Sequence, residues 1–127
     1  KRPLVNMSPV VVTHGNRPYL ALGAPGGRKI ICAVLQILIN VMDFGYGIQQ
    51  AIEKPRIDAS GIETLIDFRC DEQIVNSLRE LGHEINRVQE SPGDAAFARP
   101  SGILVSGEGN FLTAGVDPFR VAEAIGS

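Results

Sequence analysis

The sequence predicts a mixed α/β domain with a mainly antiparallel sheet, and three stretches point to it. "PVVVTHGNRPYLALGA" sets a β-branched run before Gly15-Asn16 and an alternating run, Tyr19 and Ala21, after it, which is the pattern of a hairpin. "IICAVLQILINVM" is apolar on every side except at Gln36 and Asn40, and its length favours a buried helix over 28–44, with Asp43 the last polar position. "AAFARPSGILVSGEGNFLTAGV" alternates again and reads as a closing hairpin that turns at 107–109.

Between these lie shorter elements. "GYGIQQAIEKPR" gives a second helix that stops before Pro55, because a residue preceding proline avoids the α region. "ETLIDF" is a short strand. "CDEQIVNSLRELGHE" is an amphipathic helix with Asp71 as N-cap, Gly82 as its stop and Ile74, Leu78 and Leu81 on one face. "INRVQ" is a strand, and the tail "DPFRVAEAIGS" holds one helical turn or two. The predicted order is β-β-α-α-β-α-β-β-β within a single domain over 1–127, with no linker, repeat or low-complexity tract.

Composition excludes several classes of partner. Twelve basic and 14 acidic residues are scattered over the 127 positions, giving a net charge of -2, so no cationic face for nucleic acid or anionic lipid is present. The apolar run at 30–42 falls short of the roughly 20 residues that cross a bilayer, and its internal position is not that of a signal peptide. Cys32 and Cys70 show no C-x-x-C spacing and read as two free, buried thiols. His14 and His83 cannot assemble a metal cluster. A helix apolar all round beside a hairpin apolar on both faces needs more cover than 127 residues supply. Exposed apolar patches, available for another chain or for self-association, are expected.

The stretch "LGAPGGRKII" points to chemistry. A strand that ends in Gly26-Gly27 just before a helix exposes successive backbone N–H groups, and the helix start adds unpaired donors and a partial positive charge. Arg28 and Lys29 at that end oppose the helix dipole, which suits a nearby anion or carboxylate. The Walker phosphate pattern does not fit, since Ile30 stands where Ser or Thr should follow the lysine. Glycines that merely permit a tight turn are the alternative. Asp67, Asp71 and Glu72 are candidates for an acid/base set, although a strand end and a helix cap explain them as well.

Taken together, "KRPLVNMSPVVV", "LALGAPGGRKIICAVLQILINVMDFGYGIQQAIEKPRID", "IVNSLRELGHEI" and "GVDP" resemble, in order and spacing, the C-terminal part of the γ-glutamyltransferase family. The resemblance implies a four-layer αββα N-terminal nucleophile hydrolase. In that family a precursor cuts itself into two subunits, and the freed N-terminal threonine of the small subunit attacks a γ-glutamyl amide such as glutathione. Gly26 and Gly27 match the family's oxyanion-hole glycines. The chain resembles the later part of the small subunit, which makes the rest of the precursor its first partner and a small acyl amide its second. No metal or organic cofactor is implied. An extracytoplasmic or periplasmic location is, with any targeting signal upstream of Lys1.

Three departures qualify what the resemblance implies. No residue at Lys1, Arg2 or Pro3 can serve as an N-terminal nucleophile, so the fragment alone is expected to be silent. Val5 and Asn6 stand where typical members carry a Ser-Ser pair that holds the α-carboxylate of the glutamyl group. Asn6 still offers an amide donor and Val5 offers none. Asp117 is expected to form a turn ahead of Pro118, yet Phe119 precedes Arg120 where the family usually continues directly with arginine. The alternatives are an amidase or acylase of the same superfamily with a non-glutamyl substrate, favoured by Val5-Asn6, and a non-catalytic anion-binding or interaction module.

Overall fold

The structure is a computed structural model that describes residues 7–106 and 111–124. Two sheets organise it. Strands β1 (Val10–His14), β2 (Arg17–Gly23), β6 (Ser101–Ser106) and β7 (Phe111–Val116) form a four-stranded antiparallel sheet in that order. Strands β3 (Ile57–Asp58), β4 (Thr64–Asp67) and β5 (Ile85–Val88) form a smaller one. The helices are α1 (Ile30–Met42), α2 (Ile48–Glu53) and α3 (Glu72–Glu80).

The first hairpin turns at Gly15 and Asn16, whose φ of 53° and 65° are those of a turn matched to strand twist. Leu20 and Leu22 of β2 face α1 and α2 and form one core with Ile30, Ala33, Val34, Ile37, Val41, Ile48, Ala51 and Ile52. The predicted helix over 28–44 begins instead with a 3-10 turn, Gly27–Lys29, and is α-helical only from Ile30. Its two polar interruptions are docking points. Gln36 donates to the Ile57 carbonyl and accepts from the Ile57 N–H, at 2.7 and 2.9 Å, so it holds β3 in place of a neighbouring strand. Asn40 donates to the Ala51 carbonyl of α2 at 3.4 Å. Gln49 of α2 does for β7 what Gln36 does for β3, donating to the Val116 carbonyl at 3.0 Å and accepting from its N–H at 2.9 Å.

Two features correct the expected order. Strand β3, two residues long, is too short to leave a periodic signal and pairs antiparallel with β4. Strands β4 and β5 run parallel, because α3 lies between them as a crossover. On α3 the inward face is Val75, fully buried, with Leu78 partly covered, whereas Ile74 and Leu81 are exposed. Asp71 caps α3 as predicted, accepting from the Gln73 N–H at 2.7 Å, and Gly82 follows its end at φ 91°. The closing hairpin is present as β6 and β7, and its turn at 107–109 lies outside the described residues. The tail forms a turn at Asp117, with the Arg120 N–H donating to the Asp117 carbonyl, and no helix within 117–124.

The apolar surface expected from the sequence is on two faces. Ile31, Leu35, Ile39 and Met42 make an exposed stripe along α1 at helical spacing. On the large sheet the register sets Val11, Ala21, Ile103 and Ala114 side by side across all four strands, on the face away from the helices. All four are exposed. Among the described residues the chain thus builds an α layer on one sheet whose other face is apolar and exposed, with Glu123 and Ala124 bordering the same hollow, the arrangement of one half of an αββα sandwich.

Candidate functional site

Strand β2 ends at Gly23, and Ala24, Pro25 and Gly26 lead into the 3-10 turn. Gly26 has φ 151° and ψ 10°, and Gly27 has φ 60°, both in the region that L side chains rarely adopt. The two glycines differ in what surrounds them. A Cβ on Gly26 would lie 2.5 Å from the Ala98 Cβ and 2.6 Å from its Cα, so the backbone of the 96–99 segment is packed against it. A Cβ on Gly27 would meet nothing within 4 Å, and both glycines are exposed. Among the described residues neither the Gly26 nor the Gly27 N–H donates a hydrogen bond, and no side chain caps the turn. Two adjacent N–H groups without a hydrogen-bond partner among the described residues therefore stand at a helix start on exposed glycines, with open space beside Gly27 and Ala98 packed against Gly26.

The cations beside them have separate roles. Lys29 donates to the Ala96 carbonyl at 2.6 Å, so its partner is a backbone oxygen and not the anion or carboxylate the sequence suggested. Arg28 is exposed and borders a cavity of about 470 Å³ that Asp58, Glu63 and Glu84 also line.

The 96–99 segment clamps the glycine turn from both sides. Lys29 reaches Ala96, Ala98 meets Gly26, and the Arg99 N–H donates to the Pro25 carbonyl at 3.0 Å. Behind the segment lies a buried ionic cluster. Glu90 accepts from the Phe97 N–H at 3.0 Å through one carboxylate oxygen and from Arg56 at 3.2 Å through the other. Arg56 also donates to Asp117 at 2.7 Å and to the Ile52 carbonyl at 3.2 Å. Asp117 forms the expected turn, accepting from the Phe119 N–H at 2.9 Å, and its burial against Arg56 is additional. Nothing in the sequence pattern marks Arg56, Glu90 or Asp117 as partners, since they lie 34 and 61 positions apart.

The other candidates resolve as structure. Burial pushes the Asp67 carboxyl up, but hydrogen bonds from the Arg69 side chain and backbone, with the guanidinium charge, outweigh it and hold the group below its ordinary value. Asp71 is a cap, and Glu72 pairs with Arg79 and Arg87. These three do not form an acid/base set. His14 ends β1 and His83 follows α3, both exposed. Cys32 and Cys70 are free and half-buried, less covered than expected. Burial, and then the Asp67 charge, raise the Cys70 thiol. Among the described residues no cluster of His, Cys, Asp and Glu could hold a metal ion, and no helix is long and apolar enough to cross a membrane. Val5 and Asn6 lie outside the described residues.

The family model for γ-glutamyltranspeptidase matches residues 1–127. The chain belongs to the γ-glutamyltranspeptidase family. It is 30% identical to a glutathione hydrolase proenzyme of Bacillus subtilis subsp. natto, over 84% of this chain and 20% of that protein. It is 29% identical to the acylase ACY 1 proenzyme of Pseudomonas sp. strain V22, over 82% of this chain and 19% of the relative. Among solved structures, an acivicin-inhibited γ-glutamyltranspeptidase superposes with a TM-score of 0.79 at 30% identity, covering 93% of this chain and 62% of the other. The chain spans about a fifth of the length of the curated relatives it matches. Its fold is that of the N-terminal nucleophile hydrolases in this family.

Proposed function

We propose that this chain supplies the oxyanion hole and part of the acyl-binding wall of a γ-glutamyl transferase or hydrolase, whose threonine nucleophile belongs to the rest of the precursor. One observation carries this, the pair of undonated N–H groups at Gly26 and Gly27 on an exposed turn at a helix start. When a threonine hydroxyl attacks an amide carbonyl, negative charge gathers on the carbonyl oxygen. Donors already aimed at that oxygen lower the barrier, each by about 3 to 4 kcal/mol. As the tetrahedral intermediate collapses, the C–N bond breaks and the amine leaves with the proton given up by the threonine hydroxyl; water or an acceptor amine then cleaves the ester, taking the acyl group and restoring the hydroxyl, with no metal or organic cofactor.

The test is Gly27→Val in the full-length, self-processed protein. A fall in kcat much larger than any rise in KM supports the oxyanion-hole role, and equal loss of both counts against it.

A second reading is an acylase of the same superfamily. It is favoured by Val5 and Asn6 at the positions of the Ser-Ser pair and by the likeness to an acylase proenzyme. Losing a hydrogen bond to a charged group costs about 1.5 to 3 kcal/mol, enough to change the preferred acyl group. Turnover of a γ-glutamyl anilide beside a glutaryl anilide separates the two. Activity on the glutaryl compound alone removes the γ-glutamyl assignment.

A further inference from the structure

We propose that Glu90 is a positioning residue for this reaction: it holds Phe97 and Ala98 against Gly26, and so fixes where the Gly26 and Gly27 N–H groups point. The proposal rests on the oxyanion-hole reading above.

Glu90 is buried, and each of its carboxylate oxygens has a different task. One accepts the Phe97 N–H, and the other accepts from Arg56. The Phe97 bond fixes the Ala96–Phe97 peptide, whose carbonyl also accepts from Lys29, and so holds the chain one residue ahead of Ala98, whose Cα and Cβ occupy the space beside Gly26. Since Gly26 has no side chain of its own, its unusual φ of 151° is held by its neighbours and not by its own rotamer. Those neighbours are the 96–99 segment, through Ala98, through Arg99 to Pro25, and through Lys29 to Ala96. Glu90 anchors that segment to Arg56, which Asp117 and Ile52 hold from the other side. A displacement of about 1 Å in such a support costs on the order of 100-fold in rate even when the reacting groups are intact.

The chemistry of the side chain allows its reach to be separated from its charge. Glu90→Gln keeps an acceptor for the Phe97 N–H, loses the charge and turns an NH2 in place of an acceptor toward Arg56, which retains Asp117 and the Ile52 carbonyl. Glu90→Asp keeps the charge and withdraws the acceptor by one methylene. Glu90→Ala loses both. In the full-length, processed protein, assayed on whichever anilide the wild type turns over, positioning predicts kcat in the order wild type, Gln, Asp, Ala. The Asp and Ala variants should fall about 10- to 100-fold with KM within about threefold, while the Gln variant stays close to wild type. The reverse order, Asp near wild type and Gln impaired, shows that Glu90 acts only as a counter-charge and overturns the proposal. Ala98→Gly, which removes just the methyl facing Gly26, is an independent test if the Glu90 variants do not fold. It should lower kcat with little change in KM, and a wild-type kcat there overturns the clamp. Gly27→Val separates the two layers: if it lowers kcat while the Glu90 and Ala98 variants do not, positioning alone fails, and if it leaves kcat unchanged the oxyanion-hole reading fails.

Discussion

Arg56 donates to Asp117 at 2.7 Å across 61 positions of the chain, and both side chains are almost wholly out of water. Such a pair ties the end of β7 to the segment after α2. Removing Asp117 leaves Arg56 to Glu90 alone, a loss bounded by the about 3 to 5 kcal/mol that a fully orphaned buried charge costs. Asp117→Ala should therefore lower the melting temperature of the full-length protein strongly, whereas exposed Asp71→Ala, which loses a helix cap, should cost about 1 kcal/mol. Equal effects in thermal unfolding would contradict this ordering.

Gly26→Ala is predicted to destabilise the fold while Gly27→Ala does so far less. The first forces a methyl to within 2.5 Å of the Ala98 Cβ, an overpacking that costs about 1 to 3 kcal/mol on top of the backbone strain. The second meets open space and carries only the strain of a positive φ, about 1 to 2 kcal/mol. Denaturant midpoints of the two variants check the difference.

Asp67 makes stability depend on acid. Its folded value lies below the ordinary 3.8, so between the two values the unfolded chain binds the extra proton. The stabilisation is present in full above pH 3.8 and is lost as pH falls through the depressed value. Asp67→Asn should flatten the acid limb of a stability profile below that point and leave the slope near pH 7 unchanged.

Cys70 should react slowly. Its thiol is raised above the ordinary 9.0, so the thiolate is scarce at neutral pH. In a Cys32→Ser background, iodoacetamide should label the folded protein more slowly than the unfolded chain at pH 8. Equal rates would show that neither burial nor the Asp67 charge protects it.

The bare apolar surfaces predict association. The isolated 127-residue chain should scatter light as more than a monomer, and Leu35→Lys on the α1 stripe should reduce the apparent mass. A monodisperse monomer before substitution would count against it.

Much of the architecture is legible in the sequence because it is local. The Gly15-Asn16 turn, the Asp71 cap and the apolar period of α1 each leave a signal within a few residues. The Gly26-Gly27 turn is legible for the same reason. Strand β3 is not, because two residues show no alternation and its hold on the helix is a single glutamine. The inward face of α3 differs by one position from the predicted one, since Ile74, Leu78 and Leu81 share a face as readily as Val75 and Leu78 do, and only the packing of β5 selects between them. The cluster around Arg56 is invisible in the sequence, because ion pairs at long separation carry no periodicity.

Gln49 also guards an edge. Its side-chain amide offers Val116 the donor and the acceptor that a flanking peptide group would, so the outer margin of β7 is plugged at that point. A sheet blocked on one rim resists pairing with stray strands there, which guards the chain against lateral aggregation at that margin.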